Sequence, residues 1–270
     1  MIDSPVYRKI ADSDAWICGK GKPMVVIHGG PGLDHSYLVD HLSPLTASRT
    51  IVFYNQLGCG ESRNLPSDFQ VSALFVQFLS IVRDVSNGSP IDVLAHSWGA
   101  YILYEALKMR PEVRIDRLIL VSPVGLTRKR FDSSGERLMA RIPDNVLKSI
   151  EEMEAQGRSA TLMDLIAPFY CADPNMMPSI HFDHYNPQTY NKVVEFLGEY
   201  DCTDLKSYLP RHTTLIYGEN DIELPEETVE IPEATSIITI PRAGHFSFAE
   251  RPLEFTAMVH RLLSEDPNQT

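Results

Sequence analysis

The sequence predicts an α/β fold with a mostly parallel, doubly wound β-sheet and an inserted helical segment. Short apolar runs alternate with helical patterns over residues 1 to about 122 and again over 213–263, which is the rhythm of parallel βα units. Between about 125 and 209 the strand pattern gives way to helical patterns separated by prolines. The chain has 270 residues and is 43% apolar, enough for one sizeable core with an insertion.

Six segments predict the strands of the parallel sheet. Each is short, rich in Val, Ile or Leu, and bounded by turn residues, as expected for strands that helices cover on both faces. They are Met24–His28, Thr50–Tyr54, Ile91–Ala95, Arg117–Val121, Thr213–Tyr217 and Ser236–Ile240.

Three helices are predicted between and after these strands. Phe69–Ser86 carries apolar residues at spacings of three and four, which form one stripe along a helix. Gly99–Met109 is more uniformly apolar and ends before Pro111. Pro252–Leu263 begins with a proline near the first helical position, where the missing N–H costs nothing.

The helical patterns at 136–142, 146–157, 160–170 and 188–200 predict a cap over the carboxyl ends of the sheet. We therefore expect a core of residues 1–124 and 210–270 with a cap of residues 125–209. Five of the nine methionines lie in this cap, and they and its aromatic side chains either line a malleable apolar pocket or pack the cap onto itself. The aromatic residues are Phe169, Tyr170, Phe182, Tyr185, Tyr190 and Phe196.

Charge and cysteine content exclude several functions. The 24 basic and 36 acidic residues give a net charge of −12, which repels phosphate backbones and anionic lipids, so neither nucleic acid nor a membrane is an expected partner. The four cysteines show no CxxC spacing for zinc. Because the N-terminus has no apolar signal region and no apolar run reaches 18 residues, we expect a cytoplasmic protein.

The segment Ala95-His96-Ser97-Trp98-Gly99-Ala100 predicts a nucleophile elbow. It follows a buried strand and opens a helix, and small residues stand two positions before and after the serine, as such a tight turn requires. The turn presents Ser97 Oγ at the positive N-terminus of the helix. An ordinary serine in a βα turn is the alternative.

A serine nucleophile needs a base and an acid that orients it, and α/β enzymes supply them in the chain order Ser, Asp or Glu, His. Asp221 follows the fifth predicted strand, and His245 follows the sixth. Glu219 and Glu223 flank Asp221, so a shifted acid is an alternative. His181 and His184 could share one helical face, but without nearby acid ligands they favour packing over a metal site.

The glycine-rich segment His28-Gly29-Gly30-Pro31-Gly32 follows the first predicted strand. Glycines there allow the backbone to approach a substrate carbonyl, and the N–H groups of Gly30 and Trp98 would form an oxyanion hole. A simple glycine turn or a phosphate cradle are the alternatives, although the lysine and hydroxyl of a P-loop are missing.

These motifs together resemble the proline iminopeptidases and tricorn-interacting aminopeptidases of the α/β-hydrolase superfamily. The resemblance rests on His28–Gly32, Tyr54–Ser62, Ala95–Ala100, Gly218–Asp221 and Ala243–His245, and it spans the chain outside the cap. It implies an α/β-hydrolase fold with a helical cap, a Ser97 nucleophile, a His245 base, Asp221 as its orienting acid, and Gly30 and Trp98 as oxyanion donors.

The sequence departs from this family where the substrate amine would bind. The resemblance implies one acidic residue in the late cap and another directly after the triad aspartate, but Ile222 occupies the position after Asp221. Asn55 is a further departure, since the family has aspartate at that position. Glu195 and Glu199 are the late-cap candidates, with Tyr190 as an alternative occupant. An ammonium buried without a carboxylate is costly, which favours an uncharged acyl or aryl group. The candidate substrate-binding residues are Gly29, Phe169, Tyr190, Glu195, Glu199 and Ile222.

The sequence thus predicts a serine hydrolase of a small ester, amide or short peptide that works through an acyl-enzyme, with no cofactor and no metal. Three alternatives use the same features: a triad-dependent lyase, acyl transferase or cyclase in small-molecule biosynthesis; a ligand sensor that retains the triad; and a non-catalytic interaction protein. The last is the weakest, since competent residues fill all three triad positions.

Overall fold

The fold was analysed in a computed structural model that describes residues 5–60, 65–158, 161–225 and 235–264. Eight strands form one sheet in the order β1-β2-β4-β3-β5-β6-β7-β8. They are β1 (Val6–Ile10), β2 (Ser13–Gly19), β3 (Lys22–Ile27), β4 (Arg49–Tyr54), β5 (Ile91–His96), β6 (Ile115–Val121), β7 (His212–Gly218) and β8 (Ser236–Ile240).

The predicted parallel sheet is confirmed. The first and last residues of each predicted strand agree with those of an observed strand to within two residues. Strands β3 to β8 pair in parallel, while β2 pairs antiparallel with β4 and β1 pairs antiparallel with β2. The strands β1 and β2 were not predicted. Edge strand β1 is mostly exposed, and Arg8 and Lys9 interrupt its apolar residues, so its sequence lacks the continuous apolar run that marks a buried parallel strand.

Helices lie on both sides of the sheet and in the segment between β6 and β7. They are α1 (Ser36–Leu42), α2 (Ser72–Ser86), α3 (Trp98–Met109), α4 (Arg128–Met139), α5 (Asp144–Ala155), α6 (Leu162–Ile166), α7 (Pro187–Phe196), α8 (Ser247–Glu250) and α9 (Pro252–Ser264). The predicted helices α2, α3 and α9 agree within three residues at each end.

Alternate side chains of the strands bury against different helices, as the two-residue period of a strand requires. Val25 and Val52 belong to a core cluster with α2 and α3, whereas Val26 and Phe53 belong to a second cluster with α1 and α9. Both faces of the sheet are therefore dry, and its carboxyl ends are left as the place where loops can form a site.

Helices α4 to α7 lie between β6 and β7, within the segment predicted to be helical. Asn186 accepts N–H hydrogen bonds from Gln188 and Thr189, and Pro187 occupies the first helical position, so α7 has a strong start signal. Side chains of Asn186 and Thr189 donate to the carbonyl of Gly58, which ties α7 to the loop after β4. In the described ranges, no helix is both long and apolar enough to cross a bilayer.

Candidate active site

Ser97 lies in the turn between the end of β5 and the start of α3. Its φ of 52° and ψ of −121° are unusual for a residue with a side chain, and its N–H donates to the Val121 carbonyl at 2.9 Å. Gly99 permits the turn, because a Cβ there would lie 2.6 Å from the Ile27 carbonyl oxygen. The strained serine backbone and the close contact between α3 and β3 are features of a nucleophile elbow.

His245 and Asp221 come from the loops that follow β8 and β7. A Cβ at Gly218 would lie 2.2 Å from the Gly244 carbonyl oxygen, so glycine at this position lets the two loops approach each other. The N–H of His245 donates to the Tyr170 carbonyl at 2.9 Å, which fixes the histidine backbone beneath the inserted segment. The two loops thereby converge over the elbow, although they are distant from Ser97 in sequence.

Ser97, His245 and Asp221 form one continuous hydrogen-bond chain. The Nε2 atom of His245 lies 2.9 Å from Ser97 Oγ, and its Nδ1 lies 2.9 Å from Asp221 Oδ1. The three residues are 9%, 3% and 6% exposed, respectively. With Nδ1–H donating to the carboxylate, Nε2 is the acceptor for the serine proton, which is the arrangement that general-base activation of a serine requires.

Asp221 and His245 shift each other's pKa values. Burial acts to raise the pKa of Asp221, but the facing charge of His245 and hydrogen bonds from His245 and the Glu223 N–H hold it below its ordinary value. Burial acts to lower the pKa of His245, but the charge of Asp221 raises it above its ordinary value. Asp221 is thus an anion that favours the protonated imidazole, the state that follows proton transfer from serine.

The two flanking acids have other partners. Glu219 Oε2 accepts the N–H of Arg242 at 3.1 Å, and Glu223 Oε2 accepts the Ser134 hydroxyl at 2.7 Å. Burial raises the pKa of Glu223 to about 7. In the described ranges, only Asp221 of these three acids hydrogen-bonds to the His245 ring.

The two predicted oxyanion donors flank Ser97. Gly30 lines the cavity beside Ser97 with a φ of +133°, a backbone conformation that favours glycine. Trp98 is the first residue of α3, where N–H groups have no intrahelical partner. Its buried indole donates to Gln56 Oε1 at 3.2 Å, and Gln56 Nε2 donates to the His28 carbonyl at 2.7 Å. Gln56 thus links the start of α3 to the glycine-rich loop after β3.

A cavity of about 50 Å³ opens beside the serine and the histidine. Its lining is mainly aromatic and apolar: Gly30, Pro31, Leu33, His96, Ser97, Met163, Tyr170, Tyr185, Tyr190, His245 and Phe246. Among the described residues that line it, none is an aspartate or glutamate. The cavity thus suits an uncharged group better than an ammonium.

The predicted substrate-binding residues lie at different distances from this cavity. Tyr190 lines it, and Gly29 lies under Ser97, since a Cβ on Gly29 would be 3.3 Å from Ser97 Cβ. Phe169 and Ile222 do not line the cavity; they pack together in a separate apolar cluster with Leu138 and Ile142.

The structure does not bring Glu195 or Glu199 to the cavity; both side chains are exposed. Helix α7 buries Thr189 and Val193, and Glu195 lies about half a turn around the helix from Val193. Glu199 lies beyond the end of α7. The motif residues Glu61 and Ser62 lie outside the described residues.

Sequence reasoning did not predict Leu33 as a lining residue, whereas Met163 is one of the five cap methionines that were expected either to line a pocket or to pack the cap. Of the six cap aromatic residues named from the sequence, Tyr170, Tyr185 and Tyr190 line the cavity. Among the described residues, no group of three or more His, Cys, Asp or Glu side chains could hold a metal ion.

Comparison with known proteins places this site in a family. The sequence profile described as the alpha/beta hydrolase family matches residues 24–258, most of the chain. The chain belongs to the α/β-hydrolase family. The match spans the elbow, the glycine loop after β3 and the loops that carry Asp221 and His245.

Two relatives within this family are proline iminopeptidases. The chain is 29% identical to the proline iminopeptidase of Lactiplantibacillus plantarum over 96% of this chain and 97% of that protein. It is 25% identical to the proline iminopeptidase of Heyndrickxia coagulans over 91% of this chain and 92% of that protein. The resemblance predicted from the motifs is therefore confirmed.

Solved structures share the fold. The crystal structure of VinJ superposes with a TM-score of 0.72 and 20% identity over 98% of this chain and 99% of that one. Proline iminopeptidase from Mycobacterium smegmatis superposes with a TM-score of 0.66 and 23% identity over 96% of this chain and 97% of that one.

Proposed function

We propose that this α/β-hydrolase is a metal-independent serine hydrolase that cleaves a small ester or amide through an acyl-enzyme. The observation that carries the proposal is the hydrogen-bond chain from Ser97 Oγ through His245 to Asp221, with both links at 2.9 Å. An unactivated serine hydroxyl is a weak nucleophile, and this chain supplies both the base and the charge that stabilises the protonated base.

In the first half of the reaction, His245 Nε2 takes the Ser97 proton as Oγ attacks the substrate carbonyl carbon. The resulting oxyanion accepts hydrogen bonds from the N–H groups of Gly30 and Trp98. Loss of one such donor typically costs about two to three orders of magnitude in rate. The imidazolium then protonates the leaving group, which departs and leaves an ester on Ser97.

In the second half, water replaces the leaving group. His245 Nε2 accepts a proton from this water as the water oxygen attacks the ester carbon. The imidazolium then gives the proton to Ser97 Oγ as the ester bond breaks, which releases the acid and regenerates the free hydroxyl. Asp221 keeps the imidazole in the tautomer with hydrogen on Nδ1 throughout, so the same nitrogen serves both half-reactions.

Residues 125–209 act in this proposal as a cap over a core of residues 1–124 and 210–270. The cap supplies Met163, Tyr170, Tyr185 and Tyr190 to the cavity, which favours a small acyl or aryl group over a folded protein. Relatives named proline iminopeptidases make prolyl amides a natural substrate class to test. The lack of a carboxylate among the described lining residues supports uncharged acyl groups in preference to free amines.

A substrate panel tests the proposal. Prolyl p-nitroanilide, N-acetylprolyl p-nitroanilide and p-nitrophenyl acetate are compared, with Ser97→Ala as the matched blank. We expect kcat/KM for the acetylated anilide to exceed that for the free-amine anilide by about tenfold or more, because tenfold corresponds to about 1.4 kcal/mol and an unpaired buried charge costs more than that. A strong preference for the free amine would contradict the uncharged substrate class, and full activity of Ser97→Ala would contradict the serine mechanism.

A further inference from the structure

Behind Ser97 lies a buried hydrogen-bond chain that the proposed reaction does not use. The N–H of Gly29 donates to the Tyr37 hydroxyl at 2.7 Å, and that oxygen lies 2.7 Å from His96 Nδ1. The His96 Nε2 atom lies 3.2 Å from the carbonyl oxygen of His245. Tyr37 and His96 are 5% and 1% exposed, so water has little access to this chain.

The direction of each hydrogen bond follows from the number of protons available. The Tyr37 hydroxyl accepts the Gly29 N–H, so its single proton points to His96 Nδ1. A neutral imidazole with an accepting Nδ1 carries its proton on Nε2, which therefore donates to the His245 carbonyl. Burial lowers the pKa of His96 to about 3, so the ring stays neutral over the working range of pH.

The side chains of this hydrogen-bond chain leave no space for a side chain at position 29. A Cβ on Gly29 would lie 2.8 Å from the Tyr37 hydroxyl oxygen and 2.9 Å from His96 Nδ1. The φ of Gly29 lies outside the left-handed region, so its backbone conformation does not call for glycine. Glycine is required at position 29 because the two hydrogen-bonded side chains fill the space.

We infer that Tyr37 and His96 are positioning residues that tie the Gly29–Gly30 loop to the backbone of His245. The inference rests on the proposed function, in which Gly30 supplies an oxyanion donor and His245 is the base. Neither Tyr37 nor His96 is needed to touch the reacting atoms. Together they fix the distance between two groups that must act on the same tetrahedral intermediate from different loops.

Ser122 reinforces one end of the chain. Its buried hydroxyl donates to the same His245 carbonyl at 3.0 Å, so this oxygen accepts two hydrogen bonds from neighbouring strand ends. The Gly29 end has Tyr37 alone as its side-chain acceptor within the described residues. Removal of the Tyr37 hydroxyl should therefore release the Gly29–Gly30 loop more than it releases His245.

Tyr37→Phe is the direct test, because it keeps the ring and deletes both hydrogen bonds. With p-nitrophenyl acetate as substrate, we expect kcat to fall about ten- to a hundredfold while KM changes by less than about twofold, since a misplaced donor weakens transition-state binding selectively. A small alkylboronic acid, which forms a tetrahedral adduct with an activated serine, should lose affinity by a similar factor. Gly29→Ala should produce the same pattern by displacing the two side chains.

Tyr54→Phe is the matched control. Tyr54 is fully buried, and its hydroxyl has no hydrogen-bond partner among the described residues, so kcat should stay at the wild-type value. A Tyr37→Phe enzyme with wild-type kcat, or one whose KM rises as much as kcat falls, would overturn the inference. Ser97→Ala is measured in the same assay. If Ser97→Ala is inactive and Tyr37→Phe keeps wild-type kcat, the positioning role is refuted and the serine mechanism is left intact.

Nitrogen NMR of the wild-type protein provides a second readout that does not depend on a variant folding. Labelled histidine should show the His96 ring neutral, with hydrogen on Nε2 and none on Nδ1. The opposite tautomer, or a ring that becomes protonated between pH 5 and 8, would also overturn the inference.

Discussion

The substitution Asp221→Asn tests the negative charge of the orienting acid separately from the hydrogen bonds that it accepts. Asp221 Oδ1 accepts two hydrogen bonds, from His245 Nδ1 at 2.9 Å and from the Glu223 N–H at 3.0 Å. Because both groups donate to one atom, the new amide oxygen should occupy that position. His245 then keeps its tautomer and loses the negative charge beside its ring, while the new NH2 group takes the buried Oδ2 position, which has no hydrogen-bond partner among the described residues.

The size of the effect follows from where the charge matters. In the proposed mechanism, a neutral His245 becomes a cation when it takes the Ser97 proton, and a buried charge that loses its partner costs about 3–5 kcal/mol. If that cost falls wholly on the transition state, kcat/KM drops by about two to four orders of magnitude, because about 1.4 kcal/mol is tenfold in rate.

Steady-state hydrolysis of p-nitrophenyl acetate measures this loss, and thermal unfolding shows whether the variant is folded. Glu219→Gln is the matched control, since it changes an acid in the same loop that accepts the backbone N–H of Arg242 and, among the described residues, makes no hydrogen bond to His245. That variant should keep wild-type kcat/KM. An Asp221→Asn enzyme with more than about a fifth of wild-type kcat/KM, a loss below about 1 kcal/mol, would refute the role given to Asp221.

Two further predictions concern pH and stability. Because Asp221 raises the pKa of His245, kcat/KM should fall as pH drops through a value above 6.5. Burial raises the pKa of Glu223 to about 7, so this carboxyl is partly charged where His245 titrates, and that charge also raises the pKa of His245; Glu223→Gln should therefore move the acidic limb to lower pH. An unmoved or upward-shifted limb would contradict this. Asp92 is buried at the start of β5, with Lys22 and Arg49 each at 2.7 Å, so Asp92→Asn should cost about 3 kcal/mol and roughly 6–12 °C in Tm. The kcat of that variant should be unchanged, because Ser97 lies beyond the opposite end of β5; a loss of kcat at a temperature where the variant is folded would argue against this separation.

The parallel sheet was predictable because its inner strands are buried on both faces and leave continuous apolar runs in the sequence. The edge strand β8 is mostly exposed, but it also carries an apolar run. The hairpin of β1 and β2 was not predictable, since the exposed edge strand Val6–Ile10 carries no such run. Ser97, Asp221 and His245 could be placed at one edge of the sheet because each follows a recognisable strand, and parallel strands present their carboxyl ends together.

The cavity lining was harder to predict because it depends on which face of each inserted helix turns inward. Tyr190 and Glu195 lie on the same helix, yet only Tyr190 lines the cavity. Periodicity locates a helix, but its rotation is set by tertiary contacts such as those of Asn186 and Thr189 with Gly58. The chain of Tyr37 and His96 was also hidden, since it joins residues 59 positions apart.

The most direct test of the proposed mechanism is to locate the covalent adduct left by a fluorophosphonate probe. The enzyme is treated with the probe, digested and analysed by peptide mass spectrometry, with Ser97→Ala treated in parallel. We predict one phosphonyl group on Ser97, loss of activity in proportion to its formation, and no adduct in the Ser97→Ala protein. A catalytically active protein that stays unlabelled at Ser97, or a probe attached to a different residue as activity is lost, would contradict the mechanism.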